Sequence, residues 1–146
     1  HSESAHYEAG QEAVIADLSF GKLGMTVCYD VRFPALFRSL AMHGADFISV
    51  PAAFTKMTGE AHWHVLLRAR AIETGCFIFA PAQSGTHENG RKTYGHSIIV
   101  SPWGRVLADA GLETQIIYAD IDTDQVQMAR RQIPALEHGR HFEPPV

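Results

Sequence analysis

Cysteine is scarce in this chain of 146 residues: there are two, Cys28 and Cys76. Two cysteines cannot make a disulfide framework, and no second pair exists for a zinc ribbon. A reducing, cytoplasmic setting is therefore expected. Long apolar runs are missing too. None approaches the roughly 18 residues of a membrane span, and no charged-then-apolar leader opens the chain, so no membrane partner is expected. Basic excess is absent, with a net charge of -4. Phosphate backbones demand a basic face, which argues against nucleic acid as a partner. Neither HExxH nor a CxxC pair occurs, and the nine histidines follow no metal-ligand spacing. His62 and His64 are two apart on a helix pattern and face different ways. His138 and His141 sit in a proline-rich tail. Only His96, after Gly95, falls near a sheet end. No metal and no cofactor are expected. There is no repeat and no low-complexity segment. The opening His1-Ser2-Glu3-Ser4 lacks an initiator Met, so the chain reads as processed, truncated or cut from something longer.

What remains is an ordinary globular composition, 46% apolar and 19% charged, of a length that suits one domain. Residues 1–12 are polar and read as loop. Residues 12–18 carry Ala13-Val14-Ile15-Ala16, a first strand, and 22–28 a return strand after the turn 19–22. Pro34 suits the first turn of a helix, Phe33, Leu36, Phe37, Leu40 and Ala41 follow at helical spacing, and Gly44 stops it. Phe47-Ile48-Ser49-Val50 is a short strand ended by Pro51. This strand–helix–strand order favours parallel neighbours. Thr58 can cap a helix that runs to about Thr74, with Ala61, Val65, Ala69 and Ile72 as its buried stripe and Gly75 as its stop. Residues 76–82 form a strand. Asn89-Gly90 marks a hairpin, and 94–100 pairs back. Strands are also expected at 106–107 and 116–119, and a last helix from Asp122 or Thr123 to about Gln132. Residues 134–146 read as an extended arm. The sum is α/β, with helices that must cover a sheet.

One stretch organises the rest: Gly24-Met25-Thr26-Val27-Cys28-Tyr29-Asp30-Val31-Arg32-Phe33-Pro34. It reads as a buried strand that stops at a cysteine, with a helix close behind. A thiol there sits near backbone N–H groups that favour thiolate, so Cys28 is the candidate nucleophile. The competing reading is a small buried hydrophobe. Cys76 opens an apolar strand and reads as structural. Asp30 and Arg32 flank the turn. They either brace it by pairing with each other, or Arg32 holds a substrate carboxylate through its bidentate fork. Arg70 and Glu73, three apart, read as a helix-surface pair. Glu3 has no local feature that marks it out.

The stretch around Cys28 resembles the nucleophile motif of the nitrilase superfamily, the carbon–nitrogen hydrolases. The likeness continues in order through Gly44-Ala45-Asp46, Val50-Pro51-Ala52-Ala53-Phe54, His62-Trp63 with Leu67-Arg68-Ala69-Arg70-Ala71-Ile72-Glu73, and Tyr94-Gly95-His96-Ser97 with Pro102-Trp103-Gly104. It covers nearly the whole chain and is most similar to the amidase branch. The resemblance implies an α-β-β-α sandwich and a glutamate–lysine–cysteine set that hydrolyses a small linear carboxylic amide through a thioester, releasing ammonia. Cys28 matches the nucleophile, and the Tyr29 N–H would complete the oxyanion site. Arg32 and Phe54 fall on the substrate side. Glu3, in Glu3-Ser4, matches a second, supporting glutamate. The family's lysine and general-base glutamate lie upstream of the residues matched here, and Lys22, Lys56 and Lys92 do not match the lysine motif. The chain thus resembles the C-terminal half of such an enzyme, inactive alone, with one sheet face bare. Family members form homo-oligomers, dimers among them. Two other readings compete. One is a catalytically incomplete fragment or binding module that pairs with a missing half. The other is a nitrilase or N-carbamoyl hydrolase.

Overall fold

Alternation along two short strands fixes where the layers lie. In a computed structural model that describes residues 3–146, with only the backbone of Glu3, strands β3 (Phe47–Ser49) and β4 (Phe77–Ala80) run parallel at the centre of a sheet. Ile48, Ile78 and Ala80 point to one face and Phe47, Phe77 and Phe79 to the other, as a two-residue side-chain period requires. Around them the sheet has six strands in the order β1-β2-β3-β4-β7-β8: β1 (Val14–Leu18), β2 (Gly21–Met25), β7 (Ile98–Val100) and β8 (Val106–Asp109). The β2–β3 and β3–β4 pairs are parallel, and the outer pairs antiparallel. A separate hairpin, β5 (Ser84–Thr86) with β6 (Lys92–Tyr94), turns over Asn89 and Gly90.

The first face is covered by α1 (Pro34–Met42) and α3 (His64–Thr74), which pack with Ile48, Val50 and Ile78 into the main core around Phe37, Leu40, Trp63 and Leu67. Gly24 lies against Leu40, where an added Cβ would sit 3.0 Å from its Cδ1. The other face receives α4 (Asp124–Gln132), whose Val126 is buried with Phe47 and Phe77. That cover is partial. Val14, Leu18 and Met25 share the second face by register, and Phe20 in the β1–β2 turn packs on Phe47 from the same side; all four stay exposed.

Several expectations need correction. The return strand ends at Met25, and Cys28 instead opens a short 3-10 turn, Cys28–Arg32. The helix expected from Thr58 starts earlier, as α2 (Lys56–Thr58), and reaches α3 through a π-turn, Gly59–Trp63. Its buried stripe is Trp63, Leu67, Arg70, Ala71 and Thr74, while Ala61, Val65 and Ile72 face outward and Ala69 is half-buried. Two stripes with helical spacing coexist in this segment. The one chosen hides two polar side chains whose hydrogen bonds are met: Arg70 Nε donates to Val31 O (2.9 Å) and Thr74 Oγ1 to Arg70 O (2.6 Å). The strand expected over 94–100 is broken by successive left-handed residues, Gly95 (φ 71°) and His96 (φ 59°), which separate β6 from β7. Residues 116–119 pair with no strand among the described residues, and Ile116 and Tyr118 are exposed. In the tail, residues 135–138 turn before the chain runs on irregularly. Among the described residues, no helix is long and apolar enough to cross a membrane.

Candidate active site

The parallel strands β2, β3 and β4 all end at the same edge, and the residues just past those ends converge there. Thr26 extends the β2–β3 ladder: its N–H (3.1 Å) and Oγ1 (2.8 Å) both donate to Ser49 O. Two residues on, the Cys28 N–H donates to Pro51 O (2.8 Å), tying the cysteine to the end of β3. Pro51 and Ala52 are tied in turn to the end of β4, where the Ala52 N–H donates to Pro81 O (2.9 Å). Beyond these ends lies an open cleft of about 590 Å³, lined by Cys28 with Val27, Ala53, Ala82, Gln83, Arg91 and others. That is the size range of small-molecule sites.

Cys28 holds φ at 45°, in the left-handed region that a non-glycine residue enters at a cost. The bend is held from several sides. The Asp30 carboxylate accepts from the Val27 N–H (2.9 Å), and the Asp30 N–H donates to Val27 O (3.0 Å). The Phe33 N–H closes on Asp30 O at 2.9 Å. With the Cys28 and Asp30 N–H groups engaged, the Tyr29 N–H between them is left at the tip of the turn. Asp30 is therefore the turn's cap and not the ion-pair partner of Arg32. Arg32 reaches the other way, with Nη1 and Nη2 3.2 and 3.3 Å from His62 Nδ1. Its guanidinium lies 5.3 Å from the Phe54 ring centroid and 6.0 Å from that of Tyr29. Phe54 is buried against Trp63. The fold thus gathers Tyr29 and Phe54 around the Arg32 guanidinium, whereas of the four expected residues Cys28, Tyr29, Arg32 and Phe54 only Cys28 lines the cleft. The side chain of Glu3 lies outside the described residues.

Cys76 is fully buried. Burial pushes its thiol pKa up, against the opposing effects of the Thr74 hydrogen bond and the Arg130 guanidinium. Its Sγ contacts Ala45 O at 3.2 Å, and Arg130 Nη2 lies 3.4 Å away.

Sequence reasoning missed three things. Arg91 lines the cleft and donates to Ala53 O (2.7 Å). It lies in a polar connection that offered no signal. Pro81–Gln83 could have been found, because residues just past the carboxyl ends of parallel strands are where α/β sheets bind ligands. Arg70 is not a surface residue: it is 7% exposed, lies over the Phe37 ring, and joins Glu73 Oε1 (2.9 Å) to the Val31 carbonyl of the cysteine turn. Elsewhere, His64, His96 and Asp109 meet. His64 Nε2 is 2.7 Å from Asp109 Oδ2, and His96 Nδ1 is 3.1 Å from Asp109 Oδ1. Burial alone would raise the Asp109 pKa, but the His64 and Gly111 N–H hydrogen bonds and nearby His96 outweigh it and hold the carboxyl below its usual range. Burial, then the Asp109 and Glu60 carboxylates, push the Tyr94 phenol up.

Comparison with known proteins adds to this geometry. A family model described as carbon-nitrogen hydrolase matches residues 1–131. A deaminated glutathione amidase of Synechocystis is 51% identical over 138 residues, covering 93% of this chain and 51% of that protein. The crystal structure of the C. elegans NitFhit protein superposes with a TM-score of 0.90 at 45% identity, over 94% of this chain and 34% of that one. A mutant of an amidase from Nesterenkonia sp. AN1, whose structure shows the acetamide moiety of fluoroacetamide added covalently at the active-site cysteine, is 31% identical with a TM-score of 0.74. The match covers 90% of this chain and 50% of that one. The chain spans about half the length, or less, of the proteins it matches.

Proposed function

Since this chain belongs to the carbon–nitrogen hydrolase family, we propose that it carries the nucleophile of an amidase acting on a small linear carboxylic amide. The Cys28 thiolate attacks the amide carbon and forms a C–S bond. The carbonyl oxygen takes the negative charge and is met by the Tyr29 N–H. The C–N bond then breaks, and nitrogen leaves as ammonia with the proton taken from the thiol. Water attacks the thioester, releasing the carboxylic acid and returning the thiol. The observation that carries this reading is the strained, fully braced turn that presents Cys28 to the cleft at the ends of β2, β3 and β4.

Arg91 on the cleft wall and Arg32 between Tyr29 and Phe54 supply cations suited to a substrate carboxylate. Among the described residues, no lysine, aspartate or glutamate lines the cleft. The general base and the lysine therefore come from outside these residues, and Glu3 supports the base. On this account the chain alone turns over little amide, and the uncovered Val14, Leu18, Phe20 and Met25 seat the complementary half. Exposed Ile72 and Trp103, which line one groove, offer a further apolar surface on which a homodimer forms.

The name shared by relatives makes deaminated glutathione the first amide to try. The intact protein is assayed for ammonia with hydroxylamine present. A thioester on Cys28 gives a hydroxamate, with hydroxylamine replacing water. Hydrolysis without any hydroxamate would point to direct attack by water and against the thioester. No ammonia from any carboxylic amide, with a nitrile or N-carbamoyl compound turned over instead, would move the chain to another branch.

A further inference from the structure

Three side chains that the fold brings together lie apart from the cysteine cleft, whose lining includes none of them. His64 opens α3, His96 sits in the left-handed link between β6 and β7, and Asp109 ends β8. One ligand atom from each lies within 4.8 Å of the others. We propose that His64 Nε2, His96 Nδ1 and the Asp109 carboxylate bind a divalent transition-metal cation of the zinc class.

The donor set is the first argument. Two imidazoles and one carboxylate suit zinc and its neighbours, whereas calcium and magnesium want oxygen alone. Three protein ligands also leave a coordination position open. The distances are the second. Ligands about 2.0–2.1 Å from a tetrahedral zinc stand roughly 3.3 Å apart, so the 2.7 and 3.1 Å separations from the two imidazoles to Asp109 Oδ2 and Oδ1 must open by a few tenths of an ångström, while the spread of up to 4.8 Å among the three ligand atoms must close. Each imidazole then shifts its proton to its other ring nitrogen, which for His64 is Nδ1, 3.5 Å from Tyr94 Oη.

The third argument is that the ligands are held from behind, as metal ligands are. The Gly111 N–H donates to Asp109 Oδ1 (2.8 Å), and Trp63 Nε1 donates to His96 O (2.9 Å). The Tyr94 ring stacks on His96 at 4.1 Å between centroids and meets His64 edge-on at 5.8 Å. His96 and Tyr94 also line a cavity of about 450 Å³ with Lys56, Glu60 and Lys92, and none of these residues lines the Cys28 cleft. A bound cation would clamp the start of α3 to the end of β8. Sequence spacing could not show the site, because His64 and Asp109 are 45 positions apart.

The test uses purified intact protein carrying Cys28→Ala, so that the Cys28 thiol does not compete, after chelator treatment. Co²⁺ is titrated by visible absorption and Zn²⁺ by calorimetry. One Co²⁺ per chain is expected, displaced by Zn²⁺, together with a rise in Tm. Asp109→Asn and His64→Gln should each weaken binding about tenfold or more, while His141→Ala, which removes an exposed histidine beside Glu143, changes nothing. Circular dichroism reports whether each variant folds, and either variant alone decides. No saturable binding, or binding undiminished in a folded Asp109→Asn or His64→Gln variant, overturns the proposal. Activity is not the readout, so the result is independent of the amidase reading.

Discussion

Residue 28 is bent where a non-glycine residue resists bending, and every group around it serves to keep it there. The restraint reaches outward through Asp30 to Val27, through Pro51 to β3, and through Arg70 to the Val31 carbonyl. Arg70 is thus a positioning residue. Arg70→Met keeps the bulk but leaves that carbonyl unpaired, so it should cost about 1–3 kcal/mol in urea unfolding. It should also lower kcat more than it raises KM, since the turn and not the binding wall is loosened. The two cysteines separate at this scale as well. Iodoacetamide should label Cys28 well before Cys76, whose thiol is buried and has its pKa raised; peptide mapping reads the order. Asp109 has its pKa lowered in the fold. Its contribution to stability is whole above the ordinary carboxylate range and fades as pH falls through that range towards the lower folded value. Asp109→Asn should therefore flatten part of the acid-side loss of stability, measured by denaturant unfolding at several pH values.

At the scale of elements, the π-turn Gly59–Trp63 sets which side of α3 is buried. Gly59 is packed so closely on Tyr94 that an added Cβ would run into the tyrosine Cβ. Gly59→Ala should destabilise by about 1–3 kcal/mol, seen as a lowered midpoint in thermal or urea unfolding. Here the sequence was only partly legible. The strand β3, the helix α1 with Pro34 at its start and the turn at Asn89-Gly90 follow from local chemistry and stand where expected, although the hairpin pairs 84–86 with 92–94 and not with a strand over 94–100. The face of α3 did not follow, because Val65 and Ile72 keep the same spacing as the residues that are buried. Only the partners of Arg70 and Thr74 decide between the stripes. The left-handed pair Gly95-His96 was hidden for a similar reason: a histidine with positive φ is a tertiary demand, not a local preference. In the candidate site, Cys28 was legible from its turn. Arg91 and the His64–His96–Asp109 group were not, since both depend on elements far apart in sequence.

For the molecule as a whole, the unequal cover of the two sheet faces is the governing feature. The face under α1 and α3 is closed, while Phe20 (63% exposed) and Met25 (50%) mark the open one. These 146 residues expressed alone should self-associate through that face, and Phe20→Ser with Met25→Ser should reduce the association; light scattering after size exclusion reads both. On the proposed reading, the chemistry also draws on residues that do not line the cleft. Whether Cys28 is the nucleophile of an amidase is read from the rate of ammonia release by intact protein carrying Cys28→Ala. A fall of roughly 1,000-fold or more, with the fold preserved by circular dichroism, is the predicted result. A rate within tenfold of the parent would contradict it.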